Sequence, residues 1–287
     1  MRDDTPGASF PGTHLDPGLA GMSARPIAGV DNGFVAGYRV RFDEAGPDGA
    51  TRTSTLLRYA QDIAWRHSEE MGFDREWYQA RALGWVVRGV ELELHAAIRL
   101  GQTLRVSTAV VGHRRIWARR LAEARLADGR LAARVTTDWV LLDARGRIVR
   151  IPADFGVAFL NPEVQSEILR VPAPEGPPAH TLELAVRPRD LDPLDHVNNA
   201  VYVDWIDEAL EAAGWLGDAG DRPVTWRVEY LASAARGDEV VVQVHGDAAS
   251  WAARIRRADG LDLVRASGLA TEGSGVISEP ATAMTDA

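Results

Sequence analysis

The chain has 287 residues, of which 46% are hydrophobic and none is cysteine. It exceeds the usual domain size of about 100 to 150 residues, so two units of similar size are expected. The lack of cysteine excludes disulfide bonds, thiolate metal ligands and a cysteine nucleophile. The formal net charge of −9 disfavours nucleic acids and anionic membranes, so neither is expected as a partner.

Both ends of the chain differ in composition from the rest. Residues 1–30 and 272–287 are rich in small and turn-forming residues and lack hydrophobic periodicity, which predicts flexible tails. No apolar run reaches the roughly 18 residues of a membrane span, and the N-terminal segment lacks the apolar stretch of a secretory signal. These features predict a cytoplasmic protein.

In chain order, the first series of elements begins with the strand-like run GYRVRF. A helix over Ser54–Met71 follows, because its apolar residues recur at helical spacing and Gly72 can end it. Four runs with the alternation of β-strands come next. They are GWVVRGVELEL, GQTLRVSTAVVG, RRIWARRLAEARL and GRLAARVTTDWVLLD.

A second, similar series follows the proline-rich segment 170–180, RVPAPEGPPAH, which is the best candidate for a linker. In this series the strand-like LELAVRP precedes a helix that begins near Asn199, and four more strand-like runs follow. They are PVTWRVEYLA, GDEVVVQVHG, SWAARIRRA and GLDLVRASGLA.

Matching positions of the two series keep a nearly constant spacing. Val90 corresponds to Val228, 138 residues later, and Trp117 corresponds to Trp251, 134 residues later. A repeat of about half the chain length indicates a duplicated unit. The alternation in its strands predicts an antiparallel sheet with one covered face.

The duplication predicts an α+β fold of two tandem domains, over residues 31–169 and 181–271. In each domain, a long helix buries its apolar stripe against an antiparallel sheet that wraps around it. The two domains are expected to pack against each other as an internal pseudo-dimer.

Polar residues crowd into the loop that enters the second helix, within DLDPLDHVNNAVYVDW. Pro193 limits regular structure there, and either Asn198 or Asn199 is suited to cap the helix. A helix N-terminus presents free N–H groups and a partial positive charge, which can stabilise the oxyanion of an acyl transfer.

The loop also carries groups for acid-base chemistry. Asp192 is expected to be ionised at neutral pH, so it can direct water at a carbonyl carbon or attack that carbon itself. His196 can orient the water or protonate a leaving group, and Asn198 can orient Asp192 or polarise the substrate. A purely structural interpretation stays open, because Asp and Asn also build turns and helix caps.

DLDPLDHVNNAVYVDW closely resembles the signature of hot-dog-fold thioesterases, in which an Asp and then HVNN lead into the central helix. The chain from about residue 36 to 270 resembles the plant-type acyl-[acyl carrier protein] thioesterases, which have two fused hot-dog domains. The stretch YRVRFDEAGPDGATRTSTLLRYAQDIAWRHSEEMGF, followed by LGWVVRGVELEL, is similar to that family's N-terminal domain. The resemblance implies two tandem hot-dog domains. No metal or redox cofactor is expected, because the histidines are scattered along the chain without the spacing of metal ligands.

The resemblance also implies an activity and its residues. The substrate is an acyl thioester of acyl carrier protein or coenzyme A, which is hydrolysed to free fatty acid. The family's catalytic Asp and His match Asp192 and His196, and its Asn pair matches Asn198 and Asn199. Only the second series carries these residues, so one active site per chain is expected, at the interface with the first domain.

Three positions depart from the family pattern. Where plant members have a further Asn two residues after the catalytic Asp, this chain has Leu194. Where they have a Glu-Cys pair, it has Ser233 and Ala234. A mechanism that requires the cysteine cannot operate here, which leaves a hydrolysis centred on Asp192.

Docking of an acidic carrier protein requires a local basic surface on an acidic chain. HRRIWARR supplies Arg114, Arg115 and Arg119 as candidates. Side chains alternate along a strand, so only some of these arginines share a face. An ordinary solvated face is favoured over carrier docking.

Two other functions stay open. The departures from the family pattern fit a noncatalytic acyl-binding or regulatory hot-dog module, and a hot-dog dehydratase acting on hydroxyacyl thioesters is a third hypothesis. Acyl chain length and the choice between carrier protein and coenzyme A are not determined by the sequence, and neither is the choice between a monomer and a homodimer.

Overall fold

The computed structural model describes residues 33–159, 167–215 and 224–270. The predicted tails, residues 1–30 and 272–287, lie outside these ranges. Within them, none of the helices combines the length and the hydropathy needed to cross a membrane.

In the described part of the chain, ten antiparallel strands form one continuous sheet in the order β1-β3-β4-β5-β2-β7-β10-β9-β8-β6. The predicted α+β architecture is confirmed, and it consists of two five-stranded halves that meet between β2 and β7. The strands are β1 (Phe34–Arg39), β2 (Leu83–Leu94), β3 (Thr103–His113), β4 (Trp117–Arg125), β5 (Leu131–Asp143), β6 (His180–Ala185), β7 (Val224–Tyr230), β8 (Glu239–Gly246), β9 (Ser250–Arg257) and β10 (Asp262–Ala270).

Two long helices, one per half, correspond to the two helices that hydrophobic periodicity predicts. Two short helices were not predicted, because six or seven residues are too few to establish a helical period. The helices are α1 (Thr53–Glu70), α2 (Arg75–Arg81), α3 (Ala153–Ala158) and α4 (Asn199–Ala212). The proline-rich segment before β6, including residues 170–179, contains neither helix nor strand.

The sequence prediction was wrong at the first strand. GYRVRF spans residues 37–42, but β1 ends at Arg39 and Phe42 lies in a one-turn 3-10 helix, Phe42–Glu44, with 87% of its surface exposed. That turn forms because Glu44 is buried and its carboxylate accepts a hydrogen bond from the backbone N–H of Arg41 at 2.8 Å. The alternation of the strand therefore stops before its last apolar residue.

An approximate twofold axis relates the two halves of the sheet. From the outer edge inwards, β1-β3-β4-β5-β2 and β6-β8-β9-β10-β7 follow the same order. Val90 of β2 lies directly opposite Val228 of β7, and these are the two residues that the sequence repeat matches. The axis therefore passes between them, and the duplicated unit pairs with its own copy.

Helices α1 and α4 pack against each other near this axis. Arg58 and Asp204, each six residues after the N-cap of its helix, form an ion pair with a 2.5 Å separation between Nη2 and Oδ2. The buried face of α4 carries the large side chains of Tyr202 and Trp205, both about 1% exposed. Burying such a side chain contributes about 1.5–3 kcal/mol each, so the helices are held chiefly by their apolar faces.

Asp207 of α4 is enclosed where the start of α1 packs against it. Burial and the neighbouring charge of Asp204 raise the pKa of Asp207 to about 8, against the opposing effects of a Thr53 hydrogen bond and the Arg52 charge. A carboxyl group with a raised pKa in the folded state stabilises the fold below its unfolded pKa of about 4. That contribution is lost as the pH rises through 8.

Asp207→Asn is therefore expected to gain stability relative to the wild type as the pH rises from 4 to 9, because asparagine cannot ionise. Thermal unfolding across this pH range measures the effect, with Glu208→Gln on the exposed side of the same helix as the control. A difference between Asp207→Asn and wild type that stays constant with pH would contradict the assigned titration.

Candidate active site

A buried carboxylate supports the loop between β6 and α4. Asp190, which is 3% exposed, ends a one-turn 3-10 helix and accepts the backbone N–H of Arg187 on Oδ2 at 2.7 Å. Its backbone carbonyl accepts the N–H of Asn198 at 2.9 Å. The loop is therefore fixed at both ends to the same residue.

The loop closes as a short hairpin that brings Asp192 and His196 together. The backbone N–H of Asp192 donates to the carbonyl oxygen of His196 at 2.8 Å, and Leu191 forms an antiparallel bridge with Val197. Asp195, at φ +59°, makes the left-handed turn between them. Asp192 and His196, which are four residues apart in the sequence, are therefore paired directly through their backbones.

The carboxylate of Asp192 has one oxygen engaged and one available. Its Oδ1 accepts the backbone N–H of Leu194 at 2.8 Å and that of His196 at 3.4 Å. Among the described residues, its Oδ2 accepts no hydrogen bond. Asp192 is partly buried and His196 is exposed, so solvent reaches both side chains.

Asn198, rather than Asn199, caps α4. Its Oδ1 accepts the backbone N–H of Ala200 at 2.9 Å, whereas Asn199 is the first helical residue. Of the two asparagines that the sequence offers as caps, Asn198 is therefore the N-cap, and the N-cap alternative for Asn199 does not hold. The backbone of Asn199 is already helical, and its carbonyl accepts the hydroxyl of Tyr230 at 2.9 Å. The backbone N–H of Asn199 has no acceptor in the described ranges, which leaves a donor at the helix start.

A glutamine from the first half reaches this helix start. Asn198 Nδ2 donates to Oε1 of Gln61 on α1 at 3.5 Å, so the side chain of Asn198 faces Gln61 and Ala200 rather than Asp192. The sequence analysis did not identify Gln61 as a site residue, because the contact depends on how α1 packs against α4.

The first half contains the same loop without the reactive groups. The N–H of Gly46 donates to the carbonyl of Ala50 at 2.8 Å, which repeats the pairing of Asp192 with His196. Arg52 stands at the N-cap position that Asn198 occupies in α4. This second loop therefore has no acid, base or amide at the matching positions.

The positions that depart from the family pattern are occupied by structural contacts. Ser233 Oγ donates to the backbone carbonyl of Ala234 at 3.3 Å. The buried Ala234 donates its N–H to the hydroxyl of Tyr202 at 2.8 Å. Leu194 lies at the tip of the hairpin with 60% of its surface exposed. None of these contacts provides a base aimed at Ser233.

The three arginines proposed for carrier docking separate into two groups. Arg119 forms two parallel hydrogen bonds with the carboxylate of Asp138, at 2.7 and 2.8 Å, so this charge is already paired and its assignment to docking was wrong. Arg114 and Arg115 line an open cleft together with His113 and Arg150, and Arg114 also forms an ion pair with the exposed Glu167 at 3.2 Å.

This cleft opens at the same end of the sheet as the hairpin that carries Asp192 and His196. His113 ends β3 beside the start of β4, and the start of β2 lies at that end of the first half. The antiparallel pairing of β2 with β7 brings Tyr230, at the end of β7, to the same side. Three strand spacings of about 4.8 Å separate β4 from β7.

Two models of one protein family match the chain, one in each half. The model described as the acyl-ACP thioesterase N-terminal domain matches residues 31–159, and the model of the C-terminal domain matches residues 178–266. Together they cover most of the 287 residues.

Curated relatives carry names from the same family. Oleoyl-acyl carrier protein thioesterase 1, chloroplastic, of Arabidopsis thaliana is 25% identical over 198 residues, which are 60% of this chain and 53% of that protein. Dodecanoyl-[acyl-carrier-protein] hydrolase, chloroplastic, of Cinnamomum camphora is 28% identical over 189 residues, 60% of this chain and 50% of that protein. The chain spans about half the length of the curated relatives it matches.

Solved structures share the fold. The 12:0-ACP thioesterase from Umbellularia californica superposes with a TM-score of 0.73 at 22% identity, covering 84% of this chain and 97% of that one. An acyl-ACP thioesterase from Bacteroides thetaiotaomicron superposes with a TM-score of 0.72 at 15% identity, covering 84% and 98%. The double hot-dog architecture expected from the sequence is confirmed.

Asn198→Ala is expected to lower the free energy of unfolding by about 1 kcal/mol, because the capping acceptor for the N–H of Ala200 is lost. Asn198→Asp keeps an acceptor oxygen and serves as the matched control. Urea-induced unfolding compares the two variants with wild type. Equal stability losses in both would show that the cap is not what Asn198 contributes.

Proposed function

The chain belongs to the acyl-ACP thioesterase family, and on that premise we propose that it hydrolyses acyl-acyl carrier protein or acyl-coenzyme A thioesters to free fatty acid and thiol. The observation that carries the proposal is the carboxylate of Asp192, held beside the start of α4 with one oxygen free. The family names of the relatives support the reaction class. The residue roles rest on the geometry of the hairpin.

Asp192 is the group that acts on the thioester carbonyl. Its engaged Oδ1 fixes the orientation of the carboxylate, and its free Oδ2 takes a proton from water or attacks the carbonyl carbon. Attack by water gives the acid directly, whereas attack by Asp192 forms a mixed anhydride that water then cleaves. Both routes require an ionised carboxylate and no cysteine.

The helix start supplies the electrostatic part of the reaction. The free backbone N–H of Asn199 and the positive end of the α4 dipole stabilise negative charge on the carbonyl oxygen as it develops. Asn198 contributes as the cap that fixes this end of α4. Its side-chain amide also donates a hydrogen bond to Gln61, which links the first half of the protein to the helix start. The site therefore depends on both halves.

His196 protonates the departing thiolate or orients the attacking water. It sits across the hairpin from Asp192, because the backbone of the two residues is paired, and it is exposed to solvent. An imidazole can both donate and accept a proton, which suits either role.

A carrier protein docks on the basic cleft formed by Arg114, Arg115 and Arg150. Carrier proteins are acidic, so a concentration of positive charge on an acidic chain favours their approach. The cleft lies a few strand spacings from the catalytic hairpin at the same end of the sheet, which suits a tethered substrate.

Asp192→Asn is expected to reduce kcat by at least about a hundredfold with little change in melting temperature, because the side chain is the base or nucleophile and not part of the core. A panel of acyl-carrier-protein and acyl-coenzyme A thioesters, followed for both thiol and free acid, measures this. Ser233→Ala is the control and should retain activity. Near-wild-type turnover by Asp192→Asn would contradict the assigned role, and an enoyl product would indicate a dehydratase.

A single turnover in ¹⁸O-labelled water detects an anhydride that is cleaved on the protein side. Direct attack by water places the label only in the released acid. The anhydride route, in which water cleaves the bond on the protein side, places it in the carboxylate of Asp192, where mass spectrometry detects it.

His196→Ala is expected to lower kcat less than the Asp192 change and to alter the pH dependence of kcat near neutral pH, because a proton donor is removed. A pH series of kcat for both proteins measures the change, and His180→Ala at the start of β6 is the control. An unchanged rate and profile would remove His196 from the mechanism.

Arg115→Glu is expected to raise KM for carrier-linked substrates while KM for the matching coenzyme A substrate stays the same, because only the carrier needs the basic cleft. Arg147→Glu, whose side chain pairs with Asp143 outside the cleft, is the control. An equal effect on both substrates, or none on either, would contradict docking at this surface.

A further inference from the structure

An arginine with no acidic partner lies inside the first half of the protein. Arg120 of β4 is 7% exposed, and its Nη1 donates to Nδ1 of His67 at 2.8 Å and lies 3.5 Å from Oγ1 of Thr108. No carboxylate of the described ranges contacts its guanidinium. Burial lowers the pKa of Arg120 to about 10, so the group still carries its charge at neutral pH.

An unpaired charge in a protein interior is unfavourable. Burial of an ion costs several kcal/mol unless a counter-ion and hydrogen bonds offset it. The preceding residue shows the usual solution, because Arg119 is bound through two hydrogen bonds to the carboxylate of Asp138 on the opposite face of the sheet. Arg120 lacks such a partner, which points to a counter-ion from outside the chain.

The free atoms of the arginine define what that counter-ion is. Both hydrogen bonds of the guanidinium involve Nη1, and its Cζ lies 5.9 Å from the centre of the Phe159 ring. The edge formed by Nε and Nη2 has no hydrogen-bond acceptor in the part of the chain that the structure describes. Two parallel N–H groups on one edge of a guanidinium match the two oxygens of a carboxylate. The geometry of the free edge therefore favours a carboxylate over a single neutral acceptor.

His67 adds a further donor at the same place. It is 2% exposed, and it accepts from Arg120 on Nδ1, which leaves the proton of the neutral ring on Nε2. Burial and the charge of Arg120 lower the pKa of His67 to about 3, so the ring stays neutral at physiological pH. The free N–H groups of Arg120 and the Nε2–H of His67 are therefore donors that have no acceptor oxygen in the described part of the chain.

The second half of the protein has apolar residues at the positions that correspond to His67, Thr108 and Arg120. Arg120 pairs with Val110 in the sheet as Ala253 pairs with Val244, and Thr108 pairs with Ala122 as Val242 pairs with Ile255. The strand register therefore matches Arg120 with Ala253, one residue before the Arg254 that the spacing of Trp117 and Trp251 predicts. His67 and Ala213 each lie fifteen residues after the N-cap of their helix. The fold therefore accepts alanine, valine and alanine here, and it does not require the polar trio of His67, Thr108 and Arg120.

The polar trio lies on a path from the catalytic hairpin. Gln61 of α1 contacts Asn198 at the start of α4, and His67 is six residues further along α1, about 9 Å along the helix axis. His67 faces the sheet, where Arg120 meets it. The direction of α1 therefore leads from the start of α4 towards Arg120.

We propose that Arg120, assisted by His67, binds a carboxylate at the far end of the acyl chain, so that the preferred substrates are half-thioesters of dicarboxylic acids. This inference rests on the thioesterase activity proposed above. Arg120 is a specificity-determining residue here and takes no part in the hydrolysis itself.

The test compares pairs of thioesters on the same carrier, each pair made from a dicarboxylic acid and the monocarboxylic acid of the same length. Octanedioic and octanoic acid form one pair, and the other pairs differ in chain length. Wild type is expected to favour the dicarboxylic member of one matched pair by about tenfold or more in kcat/KM, and Arg120→Met to lose that preference. Arg125→Met, on the same strand with a partly exposed side chain paired to Glu123, is the matched control and should keep it. Arg120→Lys keeps the positive charge but lacks the two parallel N–H groups, so it should keep only part of the preference for the dicarboxylic substrate.

Thermal unfolding with free octanedioate, against octanoate, tests binding without turnover. Octanedioate is expected to raise the melting temperature of wild type and Arg125→Met but not of Arg120→Met. If wild type hydrolyses both thioesters equally and Arg120→Met leaves the ratio unchanged, the inference fails while the thioesterase stands. If no thioester is hydrolysed but octanedioate stabilises the protein through Arg120, the carboxylate site stands and the proposed activity fails.

An Arg120 that is merely structural is also distinguishable. Replacing an unpaired buried charge by methionine should leave the melting temperature equal or higher. A large loss of stability in Arg120→Met and in Arg120→Lys, with no effect of octanedioate on wild type, would overturn the proposal.

Discussion

The pairing of β2 with β7 is the contact on which the rest of the molecule depends. It joins two half-sheets that would otherwise each expose an edge, with Leu92 opposite Trp226 in the core and Glu91 opposite Arg227 at the surface. Arg88 reinforces it by donating to the backbone carbonyls of Tyr230 and Leu231. Because each helix lies on its own half-sheet, the register of this one ladder sets how α1 meets α4.

The candidate site is a consequence of that register. The hairpin that carries Asp192 and His196 is assembled locally, since Asp190 fixes both of its ends and the backbone of Asp192 pairs with that of His196. Its surroundings are not local, because Gln61 reaches Asn198 only when α1 lies beside the start of α4. Duplication has allowed the two loops of the repeat to diverge, so that one retains a carboxylate and an imidazole while the other, with Gly46 and Ala50, retains only the backbone pattern.

The parts of this structure that depend on short-range pattern were predictable from the sequence. The two long helices, nearly all strands and the repeat itself follow from hydrophobic periodicity, and the loop around Asp192 follows from its unusual density of polar residues. The helix cap at Asn198 rather than Asn199, and the pairing of Arg119 with Asp138, depend on backbone geometry and on strand register, which periodicity does not determine. The unpaired charge of Arg120 was likewise hidden, because an arginine in an alternating strand is indistinguishable from a solvated one until the facing elements are known.

The ion pair between Arg58 and Asp204 has a consequence for assembly. The two residues occupy equivalent positions of the repeat and meet across the approximate axis. In a symmetric dimer of either half alone, each would face its own copy, so two arginines or two aspartates would be held within a few ångströms. Opposite charges at one symmetric position are available only to a chain whose halves have become different sequences. The ion pair therefore favours packing of the first half against the second half. It opposes packing of either half against another copy of itself.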